Sequence, residues 1–185
     1  MKPFQGLSCV ISREVNFLSV VKEGEVMQNK FPDGMTVDMV FDKYCDTVYR
    51  LAYARVGNKF DAEDILQTVF LKLCKENRTF DDCEHLKAWL LRVTINSSKN
   101  LLKSGWMRLT DSLNDSITAP KHEVSEVYIE VSKLPLKYRT VIHLHYFEGY
   151  SCAEIAEITS TTEATVKTRL KRARERLGKT LKGEI

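Results

Sequence analysis

Residues 162–182 read TEATVKTRLKRARERLGKTLK, and their spacing predicts one helix. Val166, Leu170, Ala173, Leu177 and Leu181 recur at helical spacing and make a single apolar stripe. Thr168, Lys171 and Arg172 turn away from it, flanked by Lys167, Arg169, Arg174 and Arg176. Cations at this density can neutralise phosphates, while short polar residues in the first turns reach base edges in the major groove of DNA. A solvated surface helix has a similar composition, so the residues upstream decide between the two readings.

Immediately upstream, Ser151 with Glu154 forms a capping box that opens the short helix SCAEIAEIT. Ser160-Thr161-Thr162 is the turn that follows, with Ser160 or Thr161 expected as N-cap of the basic helix. Ala153, Ile155, Ala156 and Ile158 would bury the short helix against Val166 and Leu170. A short helix, a brief turn and a longer basic helix make a helix-turn-helix. Before it come a helix over Glu126–Leu134, stopped at Pro135, and another over Lys137–Glu148, closed by Gly149. The strand formers in Val141–Phe147 compete with that second assignment.

The N-terminal half is also helical. Phe31-Pro32-Asp33-Gly34 is a turn, followed by a helix from Thr36 to Val56 with Val37, Val40, Phe41, Tyr44, Val48, Leu51 and Ala52 on its apolar face. Gly57-Asn58 ends it, and Asp61 is the expected cap of the next helix, whose buried side is Ile65, Leu66, Val69, Phe70 and Leu73. After a loop over Asn77–Asp82, a third helix runs from Cys83 to Lys103 on Leu86, Trp89, Leu90, Val93 and Leu101. The expected fold is all-α: two small helical domains, 35–103 and 125–185, joined by a flexible linker over 104–124 that is rich in Ser, Thr, Asn and Asp. Roughly twenty linker residues reach about 65 Å at full extension. Residues 1–34 read as an N-terminal tail. Lys22-Glu23-Gly24 can be encoded by a purine-rich ribosome-binding sequence, which makes Met27 a candidate natural start.

Composition excludes several functions. The net charge is only +3, so where the charge sits matters more than its sum. No stretch is long and apolar enough to span a membrane, and no signal-peptide core is present, so no direct membrane insertion and a cytoplasmic location are expected. Cys9, Cys45, Cys74, Cys83 and Cys152 are scattered without a CxxC pair, as in a reduced compartment. Cys83-x-His85 lacks a second ligand pair, so no metal is expected. His143 and His145 point to different faces of a helix. There is no HExxH, no phosphate-cradling Gly-rich loop and no nucleophile–base constellation, hence no catalytic residue, no enzymatic activity and no cofactor is expected.

The stretch KLPLKYRTVIHLHYFEGYSCAEIAEITSTTEATVKTRLKRARERL resembles region 4 of bacterial RNA polymerase sigma factors. DAEDILQTVFLKLCKE, then TF, then LKAWLLRVTINSSKNLLKS, resembles their region 2. The order and the short connection are similar to those of the extracytoplasmic-function (ECF) group of the sigma-70 family. Tyr150-Ser151-Cys152 departs mildly from the family's usual run, and the helix that often precedes region 2 is not recognisable in residues 1–30.

The resemblance implies a sigma factor that brings core RNA polymerase to promoters, region 2 recognising and melting the −10 element and region 4 binding the −35 element. It implies −35 contacts at Lys167, Thr168, Arg169, Lys171 and Arg172. It implies a flipped-base pocket at Phe80 and Asn96, with Arg92, Lys99 and Lys103 along the backbone. For Phe80 a plug beneath the loop is the competing reading. Asp64, Gln67 and Phe70 lie on the helix that in the family docks on the β′ clamp helices, though Phe70 suits a core equally. Core polymerase (β′ clamp helices and β flap), promoter DNA and an anti-sigma factor are the implied partners. The alternative is a stand-alone helix-turn-helix regulator with an N-terminal dimerisation or sensing domain.

Overall fold

The structure, a computed structural model, describes residues 31–76, 78–108 and 126–181. Residues 1–30 of the tail, which include the candidate start at Met27, and the linker beyond Arg108 lie outside the described residues.

The Phe31–Gly34 turn is a short 3-10 turn in which Asp33 and Gly34 both take positive φ (56° and 66°). Helix α1 (Val37–Val56) starts at Thr36, whose Oγ1 accepts from Met39 N, and stops at Gly57, left-handed at φ 82°. Helix α2 (Lys59–Lys75) is capped by Asn58 and not by Asp61: Asn58 Oδ1 accepts from Asp61 N at 2.9 Å. The chain re-enters a helix directly after Gly57, so Asn58 stands at its mouth and Asp61 falls inside the first turn, accepting from Asn58 Nδ2. Helix α3 (Cys83–Arg108) runs past the expected end at Lys103. One glycine, Gly105, costs a helix about 1 kcal/mol, too little to stop one this long. These three helices enclose Val40, Phe41, Tyr44 and Val48, Ile65, Leu66, Val69, Phe70 and Leu73, and Leu86, Trp89, Leu90 and Val93.

The second module holds α4 (Glu126–Lys133), α5 (Leu136–Ile142) continuing as a π-type turn over His143–Phe147, α6 (Cys152–Thr159) and α7 (Glu163–Leu181). The strand formers of Val141–Phe147 are thus helical, the wide turn closing with Tyr150 N donating to Leu144 O at 3.0 Å and Gly149 at φ 80°. No strand occurs among the described residues. The capping box forms as expected: Ser151 N donates to Glu154 Oε2 at 2.8 Å and Glu154 N to Ser151 Oγ. The turn after α6 differs. Ser160 is left-handed (φ 52°, ψ 51°) and Thr161 N donates back to Ala156 O at 2.9 Å, which ends α6 in a Schellman-type cap. With Ser160 and Thr161 so engaged, Thr162 becomes the cap of α7, accepting from Thr165 N at 3.2 Å.

The two modules pack on one another. Leu51 of α1 and Leu91 of α3, both fully buried, belong to the cluster built from Leu134, Val141, Leu144, Ile155, Val166 and Leu170. Leu51 therefore serves the second module's core and not that of its own bundle.

Candidate nucleic-acid interface

Helix α7 holds its inner stripe, Val166, Leu170 and Ala173, fully or nearly fully buried. That orientation leaves Lys167, Thr168, Lys171 and Arg172 exposed and Arg169 half-buried. Thr168 Oγ1 donates to Ala164 O, one turn back. Lys167 Nζ pairs with Glu163 at 2.7 Å, and that hydrogen bond and charge hold its pKa above the usual lysine value. Lys137, from α5, joins Thr168, Arg169 and Arg172 around a concavity of about 320 Å³ at the start of α7. The cluster offers several cations to a polyanion, with hydroxyls at the leading end.

On α3, Arg92, Asn96, Lys99 and Lys103 are all exposed and spaced to lie along one face. Arg92 Nη2 donates to Glu157 O, at the end of α6, at 3.0 Å. Phe80 is not part of that face. It is 3% exposed, stacked on Phe31 with centroids 5.9 Å apart, and meets Trp89 and His85 edge-on at 5.6 Å. The structure therefore corrects Phe80 from a base-stacking surface to a plug beneath the loop, because the ring gains more from an aromatic nest than from water. Trp89, 7% exposed, is core as expected.

On α2, Asp64 and Gln67 are exposed one turn apart, whereas Phe70 is fully buried, edge-on to Phe41 at 4.8 Å. Phe70 is corrected from a partner contact to a core residue. Cys83 Sγ lies 3.3 Å from Lys43 Nζ, and His85 lies 3.4 Å from Asp81. His143 faces Glu148, while His145 Nδ1 is 2.8 Å from Tyr150 O.

Sequence reasoning missed the residues between the modules. Arg55 is 6% exposed, and its Nε donates to Ser98 Oγ at 2.5 Å, its Nη1 to Thr140 Oγ1 and its Nη2 to Ile95 O. Burial first, then the charge of Arg139, lowers its pKa to about 10. Lys87 Nζ meets Glu148 Oε2 at 3.2 Å. The available signal was Arg55 itself, one turn after Leu51 on an otherwise apolar face.

The sequence matches the family description Sigma-70 region 2 over residues 40–108 and Sigma-70, region 4 over residues 130–177. It is 31% identical over 182 residues to the ECF RNA polymerase sigma factor SigW of Bacillus subtilis (strain 168), covering 88% of this chain and 93% of that one. The chain is an extracytoplasmic-function sigma factor of the sigma-70 family. The RNA polymerase sigma factor SigV of the same organism is 33% identical over 130 residues, 68% of this chain and 78% of that one. The sigma factor RpoE of Bartonella quintana, solved in complex with the anti-sigma factor NepR, shares the fold at TM-score 0.64 and 21% identity, over 78% of this chain and 96% of that one.

Sigma factors are non-enzymatic initiation factors that bind core RNA polymerase and promoter DNA. Matches to both modules of this sigma factor disfavour a stand-alone helix-turn-helix regulator. No helix among its described residues is long and apolar enough to cross a membrane.

Proposed function

We propose that region 4 reads the −35 element through Lys167, Thr168, Arg169, Lys171 and Arg172, and that region 2 captures the melted −10 strand along Arg92, Asn96, Lys99 and Lys103. The observation that carries the reading is the exposed alignment of those four α3 residues, a cationic track with one amide in its middle. Asn96 supplies donors and an acceptor to a base edge, and the three cations follow the phosphates. Phe80, packed edge-on against Trp89 on the inner side of this helix, props it from beneath. Asp64 and Gln67 dock on the β′ clamp helices, region 4 meets the β flap, and residues 35–103 and 125–185 act as the two functional domains. Melting is driven by base capture without ATP, the chain has no enzymatic activity of its own, and it works in the cytoplasm under an anti-sigma factor.

Run-off transcription with purified core polymerase on the region upstream of the chain's own gene tests this. A transcript that depends on the chain and disappears when either promoter element is scrambled is expected. No transcript above core enzyme alone would reject the reading.

A further inference from the structure

Three cations, Lys137 of α5 and Arg169 and Arg172 of α7, crowd the wall of one concavity, and no carboxylate stands in it. Among the described residues none of the three is ion-paired, whereas Lys167 is held by Glu163 at 2.7 Å. Like charges gathered without a counter-charge repel one another until an anion joins them. Tyr138, only 5% exposed, keeps the lysine at this rim: Lys137 Nζ lies 5.2 Å from its ring centroid, and the Arg176 guanidinium lies 5.4 Å from the same ring. We infer that Lys137, from outside the recognition helix, closes with Arg169 on a backbone phosphate of the −35 duplex, on the strand opposite the one that Lys167 and Lys171 meet.

The turn of the helix sets the two sides. Residues of α7 advance by about 100° each, so with Val166, Leu170 and Ala173 packed inward, Thr168 and Arg172 point outward. Lys167, Lys171 and Arg174 then fall on one flank, and Arg169 and Arg176 on the other. A helix lying in a major groove about 12 Å wide has a phosphate backbone along each flank. The first flank carries three cations from α7 itself. The second carries two, and Lys137 joins them from α5 because Tyr138 beside it is packed into the core of region 4. Arg169 is half-buried on that flank, so it meets a phosphate and leaves base edges to Thr168 and Arg172. The assignment rests on α7 being the −35 helix, and it adds a contact that positions the duplex without reading its sequence.

Holoenzyme binding to −35 duplexes in which single phosphates are replaced by neutral methylphosphonates tests this. One neutral linkage is expected to weaken wild-type binding several-fold and to leave the Lys137→Gln chain unaffected. That linkage is expected on the strand opposite those whose effect is lost in Lys167→Gln. Lys137→Gln is itself expected to weaken cognate and scrambled duplexes alike and to lower the salt slope by about one, with binding restored in Lys137→Arg. The inference is overturned if no linkage depends on Lys137, or if the linkages that depend on Lys137 and Lys167 share a strand. A Lys137→Gln chain that binds core polymerase more weakly without DNA also overturns it, by giving the concavity to a protein partner. If the wild type binds a scrambled −35 duplex as tightly as the cognate one, the −35 reading falls and the phosphate seat falls with it. If that preference holds while Lys137→Gln changes nothing, the phosphate seat alone falls.

Discussion

Lys87 on α3 and Glu148 after α5 meet at 3.2 Å across the module interface, with the Glu148 side chain only 3% exposed. Burial alone would raise the Glu148 pKa, but the His143 ring nitrogen at 3.5 Å and the Lys87 ammonium outweigh it, and the net shift is downward. A carboxyl whose folded pKa is depressed stabilises the fold above its unfolded value of about 4.3, and this contribution is lost as pH falls through the folded pKa. The stability advantage of the wild type over Glu148→Gln should therefore shrink between about pH 5 and pH 3. Paired thermal melts across that range check it, and a constant difference would remove the pair from the acid response.

The helices themselves were legible because their apolar spacing, the Gly57 stop and the Ser151/Glu154 box are local signals. The turn between α6 and α7 was misassigned for a local reason too: Ser160 and Thr162 are both good caps, and only the hydrogen bond from Thr161 to Ala156 decides which end each serves. Phe70 and Phe80 were ambiguous because an aromatic ring in a family motif serves a core or a ligand equally well. The pairing across the module interface was illegible: Arg55 stands out on an apolar face, but its acceptor Thr140 lies 85 residues away and no local signal joins the two.

Ser160 holds a left-handed conformation without being a glycine. The steric penalty of about 1 kcal/mol is relieved by Ser160→Gly, less about 0.5 kcal/mol for the freer unfolded chain. A net gain of about 0.5 kcal/mol is expected for region 4. Ser160→Val, β-branched at positive φ, should lose more than about 1 kcal/mol. Denaturant melts that rank valine equal to glycine would contradict the turn geometry.

Arg172 is exposed beside the concavity at the start of α7. If it reads a base, Arg172→Ala weakens binding by about 1–3 kcal/mol at the cognate −35 sequence and far less at a scrambled one. If it touches phosphate, both sequences weaken alike and the salt slope falls by about 1. Holoenzyme binding to upstream duplexes at several salt concentrations separates the two. Base reading is the expected outcome, because Arg172 stands two turns into α7, within reach of the groove floor.

Phe80 and Asn96 should separate cleanly, because one is buried and the other exposed. Removing the Phe80 ring empties the space between Phe31, His85 and Trp89, and a buried Phe→Ala change costs about 3–5 kcal/mol. Phe80→Ala should therefore lower the melting temperature of region 2 and weaken every region 2 activity together, polymerase binding included. Asn96→Ala removes only exposed polar atoms, so stability and polymerase binding should stay within about 0.5 kcal/mol of the wild type. Permanganate reactivity of the −10 thymines should nevertheless fall, since the base edge loses its partner. A Phe80→Ala chain as stable as the wild type would return that ring to the surface, and an Asn96→Ala chain that opens promoters normally would take the amide out of strand capture.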